Sequence, residues 1–351
     1  MNQSTNLFYG LTPDLILSAM EGLGLEPTGR YIPLNSIENR VYDIELGDSS
    51  RIVVKFYRPS RWTKEQILEE HEFIEELALG EIPVLTPISI AGKTLFETQG
   101  IYFAIWPLRN GRIVEELGEA ELERVGAMLG RIHSIGIRKK SNHRISLDVE
   151  SYGKRSLDFI LDGGWIENPN LKKRYSESAL RAFQTYETTL KKYDIPFQRI
   201  HGDCHKGNLL IGKEGFSILD FDDFMMGPVI QDFWMLLPPN FHQNGVAWES
   251  FISGYQTFAL FDRNWLELIE PLRAIRYVYY AAWIAKRWED PSFPMVFPHF
   301  GTEEYWLKET TDLENKERDF EPNESNALNP DSSGGEEKEL TNEDFFWDWE
   351  K

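Results

Sequence analysis

The sequence predicts an α+β protein of two lobes, a small one built on an antiparallel sheet with one long helix and a large, mostly helical one. Three observations carry this. The 351 residues exceed what one hydrophobic core ordinarily spans, and a 41% hydrophobic content supplies material for more than one. The first third holds three β-like runs, 30–34, 40–46 and 51–57, followed by one helical run. Beyond residue 108 most apolar residues recur at helical spacing.

In chain order, Thr12 to Leu23 places Leu15, Ile16, Ala19, Met20 and Leu23 on one helical face, with Thr12 as N-cap and Pro13 at the first position. This is a packing helix. The second and third strand runs, Arg40 to Leu46 and Arg51 to Tyr57, are joined by Gly47-Asp48-Ser49-Ser50. Between the first two lies Asn35-Ser36-Ile37-Glu38-Asn39, either an ordinary turn or a loop that caps a phosphate with the Ser36 hydroxyl and backbone N–H groups. Lys55 interrupts the apolar third run. Lysine is rarely buried without a partner, so it lies on a solvent face or meets an anion. The helical run Glu65 to Leu79 turns Ile67, Phe73, Ile74 and Leu77 inward and leaves Glu69, Glu70 and Glu72 competing as that anion. Pro83 and Pro87 end it, and two further strands follow, Leu95 to Thr98 and Ile101 to Trp106. In the large lobe, Glu119 to Ser134 is amphipathic, 138–150 is a basic and polar loop, and helical segments run from Ser156 to Tyr193, Phe251 to Phe261 and Trp265 to Trp288. Arg273, Arg276, Lys286 and Arg287 recur along the last of these, as a solvated face or as the rim of a cleft.

The chemistry concentrates in residues 200–224, IHGDCHKGNLLIGKEGFSILDFDDF. Asn208 to Ile211 and Phe216 to Leu219 read as the arms of a hairpin about Gly212-Lys213-Glu214-Gly215. A hairpin symmetric about Glu214 sets Asn208 opposite Asp220, with Cα atoms roughly 4.5 to 5.5 Å apart. An amide and a carboxylate so placed suit Mg²⁺, which takes few protein ligands and fills its other positions with water and phosphate oxygens. Asp203, five residues before Asn208, is positioned to accept a hydroxyl proton beside the metal.

Asp, then Asn five residues later, then Asp after a hairpin is the arrangement of kinase catalytic loops. Here it takes the form HGDxHxxN followed by LDFDD. That version resembles the aminoglycoside phosphotransferase-like kinases. LNSIENRVYDI, VVKFYRP, HGDCHKGN and GPVIQDFWMLLP are closer still to the stress response kinase A (RdoA-like) family, and the resemblance covers most of residues 5–300. It implies a bilobal protein-kinase-like fold, with a nucleotide-binding lobe over 1–107, a catalytic and substrate lobe over 108–302 and an acidic tail over 303–351. It further implies ATP as phosphoryl donor with Mg²⁺, Asp203 as catalytic base and Asn208 and Asp220 as metal ligands. The nucleotide would be held by Ser36, by Lys55 braced by Glu70, and by backbone groups of Trp106 and Leu108, since Pro107 lacks a donor. His205 would approach the γ-phosphate, and Asp232 would tie down the catalytic loop. His133 and His201 are expected to be structural, Cys204 a buried small hydrophobe rather than a reactive thiol, and Asp222 a hydrogen-bonded loop carboxylate rather than a further ligand in the metal site. The implied acceptor is a Ser/Thr hydroxyl of a protein substrate; the motif itself equally admits a small alcohol of homoserine, choline or aminoglycoside type. A non-enzyme, either a nucleotide-binding pseudokinase or a scaffold working through the tail, is the reading that intact Lys55, Asp203, Asn208 and Asp220 argue against.

Charge and composition set further bounds. Residues 303–351 hold 17 acidic and 5 basic residues, a net −12 of the total −20, so the body is only mildly acidic. No clustered Lys and Arg surface for nucleic acid is apparent. The single cysteine fits a reducing compartment. With no basic-then-apolar N-terminal signal and no run of about 18 apolar residues, a soluble cytoplasmic monomer without membrane contact is expected. From Thr302 onward the composition is that of a disordered tail, ending in Phe345-Phe346-Trp347-Asp348-Trp349, a cluster suited to docking on a partner or on the protein's own surface.

No long Ser/Thr-bearing segment separates Asp220 from Asp232. Activity is therefore expected to survive phosphatase treatment of the purified protein; a loss traced to a site between these residues would refute this.

Overall fold

The computed structural model describes residues 7–34, 36–238 and 244–319, with side chains to residue 315. The first helix, α1 (Pro13–Glu21), is capped by the Thr12 hydroxyl, which accepts from the Leu15 N–H. Strands β1 (Pro27–Leu34), β2 (Arg40–Leu46) and β3 (Arg51–Phe56) form an antiparallel meander. Helix α2 (Lys64–Leu79) follows, opened by a capping box between Thr63 and Gln66. Strands β4 (Phe96–Thr98) and β5 (Ile101–Pro107) complete a five-stranded sheet in the order β1-β2-β3-β5-β4.

Alternation along β3 explains where its lysine goes. Ile52, Val54 and Phe56 join Ile101, Phe103 and Ile105 on one face, where they pack with Ile16 and Met20 of α1. Lys55 points to the other face, toward α2, beside Tyr57 and Ala104.

Beyond β5 come the short β6 (Arg112–Ile113), helix α3 (Glu119–Gly136), a π-helical turn over Val149–Lys154, α4 (Arg155–Asp162) and α5 (Pro169–Lys192). Next are β7 (Phe197–Ile200), the hairpin β8 (Leu209–Gly212) and β9 (Gly215–Ile218), and β10 (Met225–Pro228), which pairs antiparallel with β7. The rest is helical: α6 (Gln231–Trp234), α7 (Gly245–Gln256), α8 (Ile269–Ala285), α9 (Ser292–Val296) and α10 (Glu303–Asp319). Phe73, Ile74 and Leu77 of α2 belong to the same apolar core as α3 and the segment 200–224, and Phe73 packs on Phe221 and Phe224 at ring distances of 5.9 and 5.1 Å. One helix thus touches both halves of the molecule. No helix among the described residues is long and apolar enough to cross a membrane.

Composition predicted a disordered tail from 303, and there the structure differs. Helix α10 lies against α5 and buries Trp306, Thr310 and Leu313, while Arg174 of α5 pairs with Glu314 at 2.9 Å. Its apolar stripe is only one or two residues per turn within an acidic stretch, so average composition hides it. Residues 320–351, with the aromatic cluster at 345–349, lie outside the described residues.

Helices α3 and α7 cross at backbone contact. A Cβ on Gly126 would sit 2.1 Å from the Phe251 carbonyl oxygen, and one on Gly254 would sit 1.8 Å from that of Glu123. Backbone cannot move aside as a side-chain tip can. Gly254→Val is expected to lower stability by about 2 kcal/mol or more, read as a lower urea midpoint. Gly245→Ala, in the first turn of the same helix with open space around it, should change it little; equal effects would refute the packing argument.

Candidate active site

Lys55 is buried, and its Nζ lies 3.0 Å from Asp220 Oδ1, 3.0 Å from Asp222 Oδ1 and 3.6 Å from Glu70 Oε1. Burial opposes its charge, but these three carboxylates outweigh it and hold the ammonium well above its usual range. Of the competing glutamates, Glu70 faces inward and also takes Arg144 Nη2 at 3.2 Å. Its own pKa is pushed up to about 7, chiefly by burial, against the pull of Lys55 and Arg144. Glu69 instead accepts the N–H groups of Asn142, His143 and Arg144, and Glu72 pairs with Lys139 at the surface.

The hairpin register is one correction to the sequence reading. Leu209 pairs with Ile218 and Gly212 with Gly215, so the ribbon is centred between Lys213 and Glu214 rather than on Glu214. Gly215, at φ +104°, permits this closure after two residues. Asn208 therefore faces Leu219, whose N–H donates to its carbonyl at 2.9 Å. Asp220 falls one residue beyond the pairing, in the left-handed region at φ 55°, ψ 71°, which brings its carboxylate to Lys55 with the side chain still 54% exposed. The Asn208 amide nitrogen donates to the Asp203 carbonyl at 2.9 Å, closing the loop between them and leaving the amide oxygen as the end suited to a cation.

Asp203 follows Gly202, whose φ of +85° and approach to Asp223 exclude a side chain there: an added Cβ would lie 2.3 Å from the Asp223 carbonyl oxygen. The Asp203 carboxylate is 3.3 Å from Arg276 Nη2 and 3.5 Å from His205 Nε2. Burial would raise its pKa, but the hydrogen bond and charge of His205, with the charge of Arg276, hold it well below the usual carboxylate range. His205 is raised in turn, because Asp203 and Asp220 outweigh its own desolvation.

The loop is held from beneath by Asp232, fully buried on α6, which accepts the N–H groups of His201 at 2.7 Å and Gly202 at 2.8 Å. His133 Nε2 lies 3.1 Å from the same carboxylate, and its Nδ1 lies 2.9 Å from the Tyr255 hydroxyl. His201 carries its proton on Nε2, since that atom donates to the Leu219 carbonyl at 2.8 Å while Nδ1 accepts from the Asp203 N–H. Cys204 is buried, which raises its thiol pKa.

Above the site, Ser36 Oγ accepts the Asn39 N–H at 3.2 Å and closes the loop over 36–39; Asn35 lies outside the described residues. Glu38 meets Arg287 at 2.8 Å, Arg58 at 3.2 Å and Arg61 at 3.6 Å, and Arg58 reaches Asp290 at 2.9 Å. Asp222 is a buried, hydrogen-bonded carboxylate, taking Arg61 at 2.5 Å and the Asn39 amide at 3.1 Å as well as Lys55. Trp106 and Leu108 are half-buried at the end of β5, and Lys55 Nζ sits 5.7 Å from the Trp106 ring centre. The structure thus gathers Lys55, Glu70 and Asp220 in direct contact, joins Asp203 to Asn208 through the loop, and leaves Ser36 on a separate loop linked to them through Asn39 and Asp222.

Sequence reasoning missed Arg58, Arg61 and Arg144. Arg144 lies in a loop read only as basic and polar, yet it is buried over the Trp62 ring at 4.4 Å. No periodicity marks a loop residue as interior. The one available signal was the FYRPSRW stretch directly after the strand lysine, dense in arginine and aromatic residues.

Residues 30–269 match the model of a phosphotransferase enzyme family, APH. The chain is 41% identical over 310 residues to stress response kinase A of Escherichia coli O157:H7, covering 88% of this chain and 94% of that protein. It is 39% identical over 311 residues to the serine/threonine protein kinase RdoA of Salmonella typhimurium strain LT2, covering 89% and 94%. Among solved structures it is similar to amicoumacin kinase hAmiN in complex with AMP-PNP, Ca²⁺ and Ami, with a TM-score of 0.70 at 18% identity over 91% of this chain and 96% of that one. A microcompartment-associated aminopropanol kinase aligns with a TM-score of 0.61 at 17% identity over 86% and 95%. At such identities the likeness is one of fold.

His71, next to Glu70, lies 3.0 Å from the Tyr57 hydroxyl and 2.8 Å from that of Thr94. Burial, with Lys55 and Arg144, pushes its pKa down to about 3. Between pH 6.5 and 3 the unfolded chain binds a proton here that the folded chain refuses, so stability falls as pH drops through that window. From pH 7 to 5 the wild type should lose about 2 kcal/mol more than His71→Gln, measured by urea unfolding. Equal losses would exclude the assignment.

Proposed function

Because the chain belongs to the APH phosphotransferase family and, within it, to the stress response kinase A group, we propose that it is an ATP- and Mg²⁺-dependent kinase acting on Ser/Thr hydroxyls of protein substrates in a bacterial stress response. The observation that carries the chemistry is the meeting of Lys55, Glu70 and Asp220 beside a loop in which Asn208 binds the backbone of Asp203. The protein acceptor rests on the relatives' names, RdoA above all.

The donor set suits a divalent ion of the magnesium type. Among the described residues no group of three or more His, Cys, Asp or Glu side chains is arranged to hold a metal. Mg²⁺ requires none, since it is commonly held by one or two carboxylates with water and phosphate oxygens. The exposed Asp220 carboxylate and the Asn208 amide oxygen would be its protein ligands. When bound, the ion neutralises charge on the β- and γ-phosphates.

Lys55, held by Glu70, positions the nucleotide phosphates, with Ser36 and the backbone of Trp106 and Leu108 as further nucleotide contacts. Asp203 receives the acceptor hydroxyl. Since surrounding cations keep this carboxylate ionised, it is a weak base that chiefly orients the hydroxyl, and it takes the proton as the new P–O bond makes that hydroxyl acidic.

The test is γ-phosphoryl transfer from ATP with Mg²⁺ to protein substrates and to a panel of small alcohols. Asp203→Ala is expected to lower transfer by about 10²- to 10⁴-fold with nucleotide binding retained. Full activity in that variant would defeat the base assignment, and transfer to small alcohols alone would replace the protein acceptor with a homoserine-, choline- or aminoglycoside-like one.

A further inference from the structure

Helix α8 is mostly apolar, yet it carries Arg276 into the interior beneath the catalytic loop. Burying a guanidinium is costly unless its hydrogen bonds are met. Arg276 meets two consecutive residues of that loop: Nη1 donates to the Gly202 carbonyl at 3.0 Å and Nη2 to Asp203 Oδ1 at 3.3 Å. Its guanidinium carbon also lies 5.9 Å from the centre of the Trp234 ring, on the same short helix as Asp232. Residues 201–203 are therefore gripped from two sides. Asp232 takes the N–H groups of His201 and Gly202, whereas Arg276 takes the Gly202 carbonyl and the Asp203 side chain.

The second grip differs in kind from the first. Asp232 holds backbone alone, and a backbone clamp leaves the Asp203 side chain free to rotate at the half-exposed edge of the site. A planar fork joining the carbonyl of one residue to the carboxylate of the next fixes that rotation. The other carboxylate oxygen, Oδ2, is turned toward His205 at 3.5 Å.

Resting on the assignment of Asp203 as base, we propose that Arg276 is a positioning residue for phosphoryl transfer: it immobilises one oxygen of Asp203 so that the other meets the acceptor hydroxyl. A lysine, whose donors all sit on one nitrogen at the end of a flexible stem, cannot reproduce the planar fork. Misplacement of a reacting group by about 1 Å can cost about 10²-fold in rate.

The full-length protein is assayed as Arg276→Lys and Arg276→Met, each also combined with Asp203→Asn, with thermal melting to count folded molecules. The expected result is a fall in kcat of about 10-fold for Arg276→Lys and about 100-fold for Arg276→Met, with the KM for ATP unchanged. In the Asp203→Asn background the same substitutions should cost less than about threefold, because there is no carboxylate left to position. If the methionine variant does not fold, the lysine variant decides by its split between kcat and KM. Unchanged kcat, or a loss that only follows the folded fraction, overturns the proposal. Full activity in Asp203→Asn alone would instead mark failure of the base assignment on which it rests.

Discussion

A lysine side chain turned into the face of a β-sheet away from water is unfavourable by several kcal/mol unless anions meet it. Lys55 meets Glu70, Asp220 and Asp222, and these come from a helix and a segment after β9 that are far apart in sequence. To satisfy one buried cation, α2 must lie against β3, and the segment after β9 must come up beneath both. Arg61 and Arg144 offset the surplus negative charge. The ion cluster and the apolar contacts of Phe73 with Phe221 and Phe224 therefore support the same arrangement from polar and apolar sides.

Below this cluster the loop that carries Asp203 is over-determined. Gly202 supplies a conformation closed to other residues, Asp232 and Gln231 fasten its backbone, and Arg276 fastens its carboxylate. Above it, the loop at 36–39 lacks glycine and is not left to move freely. Glu38 is engaged by Arg287 from beyond the end of α8, and Arg58 by Asp290, so two ion pairs join this loop and its neighbouring strand to the large helical part of the chain. Phosphoryl transfer depends on positioning more than on covalent participation by the protein, and a site braced from three directions suits that demand.

Much of the fold was legible because its signals are local. Thr12 announces a helix start through its own hydroxyl, and the apolar run of β3 marks Lys55 as a charge set inside a strand. Helix α10 was not legible: Trp306 and Leu313 are too few to register against the surrounding acid, and their burial depends on α5. The choice of Glu70 over Glu69 and Glu72 was within reach of periodicity, since Glu70 lies three or four residues from Ile67, Phe73 and Ile74 and shares their inward face, whereas the other two lie about 100° or more away around the helix.

By itself the sequence determined which chemical groups are present and in what order: a strand lysine, a loop aspartate, an asparagine five residues on, a second aspartate past a hairpin. Short-range spacing is sufficient for that, because it reflects bond geometry and local backbone preference. Only the tertiary structure decided the register that carries Asp220 past the hairpin to Lys55, the burial of Asp222, and the turning of Arg276 from an apparent surface charge into a ligand of Asp203. Those outcomes depend on which distant partner neutralises each charge, and a buried charge takes its partner from the packed neighbourhood rather than from the chain beside it.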